Sequence, residues 1–316
     1  MTGESEATML FQRKSMGVEI NPNGASFVLL GGTAAAPVLE RVAARPFTAG
    51  TLRASLRETN ILEPQAFCDR LREAHALLLY PGTRLSVALP DAVGRVLLLD
   101  VEGRFKNRAE ALDIIRWKLK KNLPFDVADT HLDYQQLRVR ESGEMALLVT
   151  LVSRTVIGQY EELINAAGLI PARIDLNILS LCRSFEKRLE LEGDLALISF
   201  YGNTLVIMVV VDGIPEFVRI KGLPGAAAPD SRVYSEINNS LLAYRERFPE
   251  RMLLKVACIA APDAARDFCG MIAEATGIDP LLLEIKSVIK PSDSAPADQN
   301  VLFPFTVAVG AAMRNL

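Results

Sequence analysis

The sequence of 316 residues is poor in reactive side chains, with two histidines, one tryptophan and four cysteines, and each scarcity removes a class of chemistry. Cys68, Cys182, Cys258 and Cys269 show no CxxC spacing and no clustering with His75 or His131. Neither a zinc site nor a disulfide framework is expected, and the thiols read as buried and reduced. No Ser-His-Asp arrangement and no paired carboxylates stand out, so no catalytic residue and no metal ligand is assigned. Charge of one sign is not in excess. A net charge of −3 gives no general reason to expect nucleic acid as a partner. The local basic run of Arg116, Lys118, Lys120 and Lys121 reads as a solvated helix face. Long hydrophobic runs are missing as well. Residues 195–211 are uncharged, but Gly202, Asn203 and Thr204 break them into strand-length halves, whereas a membrane span needs about 20 apolar residues. The opening "MTGESEATMLFQRKS" lacks the apolar stretch of a secretory signal, so the expected location is cytoplasmic. Residues 1–14 are polar and expected to be flexible.

What remains is an ordinary globular composition, 50% hydrophobic and 23% charged, on a chain long enough for two lobes. The informative pattern is a repetition. "MGVEI", the turn "NPNGA", "SFVLLG" and "PVLERVAAR" make strand-turn-strand-turn-strand. About 180 residues later "LALIS", "YGN", "TLVIMVVV", "DG" and "PEFVRI" repeat that order, with Asn-Pro, Asn-Gly and Asp-Gly as punctuation. Two similar α/β lobes are predicted, facing each other across a cleft with both hairpin turns pointing into it.

Between the repeats, "RLSVALP" reads as a strand of the first lobe. The next stretch holds a strand (94–101), an amphipathic helix (107–122) and a hairpin turning at Ser142-Gly143. In that helix Leu112, Ile115 and Leu119 share a face that Ala111, Ile114 and Trp117 widen, and Pro124 ends it. "TVIGQYEELINAAGL" is a helix closed by Gly168, "ARIDLN" a strand, and "LNILSLCRSFEKRLE" a helix entering the second lobe. "GLPGAAAPDSR" and "KPSDSAPADQN" are loops. The first precedes the helix "VYSEINNSLLAYRERF", and the second precedes an apolar segment read as one helix closing the second lobe.

From "RWKLKKNLPFDVADTHLDYQ" onward the sequence resembles the PilM family of type IV pilus assembly proteins. The carrying residues are Leu123, Pro124, Phe125 and Asp126, then Asp133 and Tyr134. "INAAGLIPARIDLNILSLCRSFE" (with Asp175 and Arg183), "VVVDGIPEFVRIK" (Asp212, Gly213, Arg219), "SEINNSLLAY" and "AVGAAMR" are similar to further segments of that family in order and spacing. The resemblance implies a two-lobed actin-like fold, a duplicated RNase H-like α/β architecture. An inserted strand-helix-strand-strand module like that of the division protein FtsA completes it. The implied boundaries are 15–92 with 154–192 for the first lobe, 93–153 for the module and 193–316 for the second lobe. The implied partner is a PilN-like bitopic inner-membrane protein. Its short apolar N-terminal cytosolic tail would lie in a groove between module and first lobe, and this chain has no span of its own. For that groove the resemblance offers Leu123, Pro124 and Phe125, whose alternative role is to end the helix and plug the module's core. Trp117 is the candidate anchor on chemical grounds, with a core position as its alternative.

Actin-like folds hold ATP with Mg²⁺ between glycine-bearing hairpin turns, so ATP is the cofactor the resemblance implies. This sequence departs from the pattern three times. The first turn reads "GVEINPNGAS": Glu19 or Asn21 stands near the expected acid, Pro22 brings no N–H, and Gly24 and Ser26 remain to contribute. In the second turn Ser199 stands at the acid and Tyr201 at the glycine. A one-residue slip offers Gly202, with Phe200 at the acid, and Asn203 and Thr204 complete the turn. Neither register supplies a carboxylate to orient a metal. The third element reads Ala260, Ala261, Pro262 in place of a glycine pair. The expectation is a degenerate nucleotide cleft that does not hydrolyse ATP, in a scaffold that grips protein. An active actin-like ATPase and an FtsA-like filament former are the alternatives, and a type II secretion apparatus is the alternative setting.

Overall fold

The computed structural model describes residues 14–120, 123, 126–226 and 228–316. The expected flexible N-terminus falls almost wholly outside the described residues, as do Pro124 and Phe125.

The chain begins with a meander of β1 (Ser15–Asn21), β2 (Gly24–Thr33) and β3 (Ala36–Pro46), then α1 (Pro64–Leu77) and β4 (Arg84–Leu89). The inserted piece follows: β5 (Gly94–Val101), α2 (Arg108–Lys120), β6 (Thr130–Val139) and β7 (Met145–Ser153). The chain returns through α3 (Arg154–Ala166) and β8 (Ile170–Leu176) and crosses on α4 (Asn177–Glu192). A second meander comprises β9 (Leu195–Tyr201), β10 (Thr204–Val211) and β11 (Ile214–Gly222). After it come α5 (Ser231–Arg247), β12 (Val256–Ile259), α6 (Ala265–Thr276), β13 (Leu281–Leu282), β14 (Lys290–Pro291), α7 (Gln299–Leu302) and α8 (Thr306–Met313).

The predicted repetition is present in the topology. Strands run β3-β2-β1-β4-β8 in one sheet and β11-β10-β9-β12-β13 in the other, so each sheet is an antiparallel meander extended by parallel strands. Even the ladder irregularities correspond: β2 and β10 each slip register at the same place along the strand, at Leu29/Leu30 and at Val209/Val210. At the tip between β10 and β11, Asp212 (φ 53°) and Gly213 (φ 73°) take the left-handed conformations that a tight two-residue hairpin requires.

Side-chain alternation gives each sheet two buried faces. In β2, Phe27 and Leu29 join a core with Phe67 and Leu71 of α1 and Val156 and Tyr160 of α3. Val28 and Leu30 point the other way, into a core shared with Leu195 and Leu197 of β9, Leu181 and Phe185 of α4, and α8. Ile198, Phe200, Leu205 and Ile207 pack on α5 and α6. The middle core therefore joins the two lobes, and α4 and α8 are wedged in it. Their crossing is close: a Cβ added at Gly310 would stand 1.8 Å from the Ser180 carbonyl oxygen, and Ser184 Oγ donates to the Thr306 carbonyl at 2.7 Å. Gly17 of β1 admits α8 in the same way, since a Cβ there would stand 2.2 Å from the Ala308 carbonyl.

Two expectations are corrected here. Residues 193–316 do not all stay with the second sheet. β14 pairs in parallel with β3, and α8 packs on β1, β2 and β4. All eight residues of α8 are buried, so it has no amphipathic stripe to assign it to one lobe. Nor is the last segment one helix: a 3-10 turn at Phe303–Phe305, containing Pro304, separates α7 from α8.

The inserted piece forms its own three-stranded antiparallel sheet, ordered β5-β7-β6, with α2 on one face. Leu147, Val149 and Leu151 of β7 face Ile115 and Leu119 of α2. Trp117, expected to widen that face, is 64% exposed. The module meets the second lobe through an ion pair, in which the half-buried Arg138 of β6 donates to the buried Glu216 of β11 and Arg251 stands 3.7 Å from the same carboxylate oxygen.

Candidate functional site

Two places between bodies deserve comparison, the cleft between the sheets and the groove beside the module. At the cleft, β1 and β2 are joined by Pro22-Asn23 and β9 and β10 by Gly202-Asn203, with Gly202 at φ 62°. Ser15, Gly17 and Glu19 share the face of β1 that meets α8, and Leu195, Leu197, Ser199 and Tyr201 share the inward face of β9.

Glu19 and Tyr201 meet across the cleft. The Tyr201 hydroxyl donates to Glu19 Oε2 at 2.7 Å, and Asn21 and Asn177 donate their Nδ2 groups to Oε1 at 3.2 Å each. Glu19 is 1% exposed. Burial outweighs these three donors and pushes its carboxyl up from 4.5 to about 7. Burial first, and then the Glu19 charge, hold the Tyr201 phenol well above its usual value, so it stays a donor. The Tyr201 ring packs against Phe303, their centroids 5.4 Å apart. Further along β10 and β11, Val206 and Ile220 pack into the first lobe's core with Val18, Ile20 and Ile178. Side chains of the two lobes thus meet across the cleft.

The remaining cleft residues have structural occupations. Asn21 Oδ1 accepts from Asn23 N at 2.9 Å, an Asx turn that shapes the first tip. A Cβ at Gly24 would stand 2.5 Å from the Arg45 carbonyl oxygen, so close approach of β3 is enough to require glycine there. Ser26 and Thr204 are half-buried, Gly202 and Asn203 exposed, and the Asn203 carbonyl accepts from Leu223 N at 2.7 Å. Ser199, at the expected acid position, is fully buried and its Oγ has no hydrogen-bond partner among the described residues. Two residues that sequence reasoning passed over complete the floor. Asn177 opens α4, and Asp91 Oδ1 accepts from Ile178 N at 3.0 Å, capping that helix from a neighbouring loop. Burial pushes the Asp91 carboxyl up from 3.8 to about 7.

The groove is different. β8 is the outermost strand of the first sheet, and its free edge has no strand partner among the described residues. Beside it lies a pocket of about 200 Å³, walled by Pro171, Ala172, Ile174 and Asp175 of β8, by Ile157 and Glu161 of α3, and by His131, Asp133, Thr150 and Val152 of the module. The module presents here the sheet face that looks away from α2. Trp117 and Leu123 are not among the lining residues: Trp117 lies out on α2, and Leu123 packs against the module's core. α2 occupies the opposite face of the module sheet, so neither residue borders this pocket. Asp175 pairs with Arg314 at 3.0 Å and Arg183 with Glu186, not with each other. His131, Asp133 and Thr150 are the residues sequence reasoning missed. Their alternation with Leu132 and Leu151 along β6 and β7 was the available signal.

No protein-family model and no curated protein matches the chain. Among solved structures, a PilM–PilN type IV pilus biogenesis complex superimposes with a TM-score of 0.78 at 18% identity, over 96% of this chain and 99% of that one. The cytoplasmic domain of EpsL, an inner-membrane component of the type II secretion system of Vibrio cholerae, gives 0.49 at 12% identity, over 78% of this chain and 82% of that one. The ethanolamine utilization protein EutJ from Carboxydothermus hydrogenoformans gives 0.48 at 12% identity, over 96% of this chain and 90% of that one. Together with the doubled strand order, the first of these likenesses shows that the chain has the two-lobed actin-like fold of PilM.

Proposed function

We propose that this protein is a scaffold of a type IV pilus or related secretion apparatus, held at the cytoplasmic face of the inner membrane by a PilN-like bitopic protein. In this reading the partner's short apolar N-terminal tail lies along β8, between the first sheet and the module. The observation that carries it is the groove itself: an unpaired strand edge next to a pocket, which is the arrangement that lets an extended peptide add backbone hydrogen bonds while side chains enter pockets. The fold shared with a PilM solved together with PilN supports the choice of partner. Among the described residues no helix is long and apolar enough to cross a membrane, so a partner with a span would supply the anchor. The cleft in this reading is architecture and turns over no ATP.

The test is peptide binding followed by fluorescence anisotropy. The probe is a short apolar peptide taken from the N-terminal cytosolic tail of a PilN protein. Ala172→Arg fills the groove and is expected to weaken binding at least tenfold, about 1.4 kcal/mol, with thermal stability little changed. Trp117→Ala, on the far side of the module, is expected to leave the affinity alone. Equal loss in both variants, or in neither, would move the tail elsewhere.

A further inference from the structure

We propose that Tyr201 is a built-in latch, a protein group that holds the two lobes closed across the cleft where nucleotide would do so in an actin-like ATPase. The inference rests on the cleft alone and stands or falls separately from the partner reading.

Three observations carry it. The first is the bond from Tyr201 to Glu19, which joins residues 182 positions apart on the inward faces of the two central strands. It is the kind of contact that fixes the spacing of two bodies, because a buried carboxyl deprived of a donor is costly. The second is the way both partners are held. Phe303 supports the Tyr201 ring, while Asn21 and Asn177 grip the other oxygen of Glu19, so neither side chain can swing away without breaking further contacts. The third is the apolar contact of Val206 and Ile220 with the first lobe's core, which ties the second meander to the first lobe beside the hydrogen bond. The glycine expected at position 201 would have brought a backbone N–H to a phosphate. The tyrosine brings a hydroxyl to a carboxylate, satisfying within the chain what an external ligand would otherwise satisfy. Closure in this protein is therefore constitutive, and the lobes do not answer to nucleotide.

Hydrogen exchange read by mass spectrometry on the full chain tests this. Tyr201→Phe keeps the ring and removes only the hydroxyl. Exchange in residues 17–26 and 197–206 should accelerate together by about tenfold, with β6 and β7 unaffected. Glu19→Gln keeps a carbonyl oxygen for the tyrosine; the Asn177 side-chain amide turns over to offer its Oδ1, which has no hydrogen-bond partner among the described residues, to the new Nε2, and the half-buried Asn21 Nδ2 turns to water. This variant should stay slow. Unaltered exchange in Tyr201→Phe, or equal acceleration in both variants, overturns the latch. A measurement on the native chain is independent of either variant folding. Millimolar ATP with Mg²⁺ should leave the two segments unchanged, and slowing of both by nucleotide would show an open, ligand-answering cleft and end the proposal.

Discussion

The cleft and the groove both lie between packed bodies, yet one is bridged by side chains and the other is bordered by a strand edge with no strand partner among the described residues. At the cleft, Tyr201, Glu19, Val206 and Ile220 fill the space with a hydrogen bond and apolar contacts. At the groove, β8 keeps a free edge beside a pocket of about 200 Å³. A gap that a chain closes with its own residues has become part of the fold, whereas a strand edge left open retains a use for a second chain. In the reading proposed above, a second chain would be gripped at the side of one lobe and not between the two.

The comparison can be broken most forcefully at the helix crossing behind the cleft. Gly310→Val places carbon where the Ser180 carbonyl already stands, forcing α4 and α8 apart. Thermal or denaturant unfolding should show a loss of more than about 3 kcal/mol. A loss under about 1 kcal/mol would mean the two helices can separate without cost and that the middle core does not join the lobes.

A gentler cut titrates the latch. The Glu19 carboxyl ionises at about 7 in the folded chain against 4.5 as its ordinary value. Between those values the unfolded chain releases a proton that the folded chain keeps. The stabilisation is therefore complete below pH 4.5 and is lost as pH rises through about 7. Glu19→Gln removes this dependence, so the native protein should lose on the order of 3 kcal/mol relative to the variant between pH 4.5 and pH 8. Asp91, shifted in the same direction, leaves a residual slope in both proteins. A constant difference across that range would contradict a buried Glu19 carboxyl that keeps its proton up to about pH 7.

Smaller still is the effect of loosening the module. Arg138→Ala leaves the buried Glu216 with Arg251 at 3.7 Å as its nearest cation. Because Arg138 is partly exposed, the expected loss is about 2 kcal/mol. Glu216→Gln in the same background should recover part of it in a double-mutant cycle. If the groove matters and the cleft does not, Arg138→Ala should also weaken peptide binding, since it frees the module wall from the second lobe, while Tyr201→Phe should not.

Much of this architecture was legible in the sequence because it is written locally. Asn-Pro, Asn-Gly and Asp-Gly mark the tips of two meanders, period-two alternation marks their strands, and Gly168 ends α3 with a left-handed φ of 84°. What escaped depended on distance or on symmetry. The α8 helix is buried all round, so nothing in its pattern says which sheet receives it, and β14 has two residues, too few for any periodicity. Trp117 sat close enough to the apolar stripe of α2 to be placed on its margin, and the structure turns it outward. At the groove, Thr150 and Asp133 read as the polar face of an amphipathic sheet, and only the position of β8 turns that face into a wall. Ser199 and Tyr201 stand where the resemblance implies an acid and a glycine, but no local pattern reveals that Tyr201 points at Glu19.

The close fit of α8 against β1 also bears on how this molecule comes into being. Ser15 donates its hydroxyl to the Ala312 carbonyl, 297 positions further along the chain. At a synthesis rate of about 5–20 residues per second, the first strand waits on the order of 15–60 seconds for the helix that seals it. Until then the surface of Val28, Leu30 and Leu39 has only α4 and the second meander to cover it, so the core that joins the lobes is completed last.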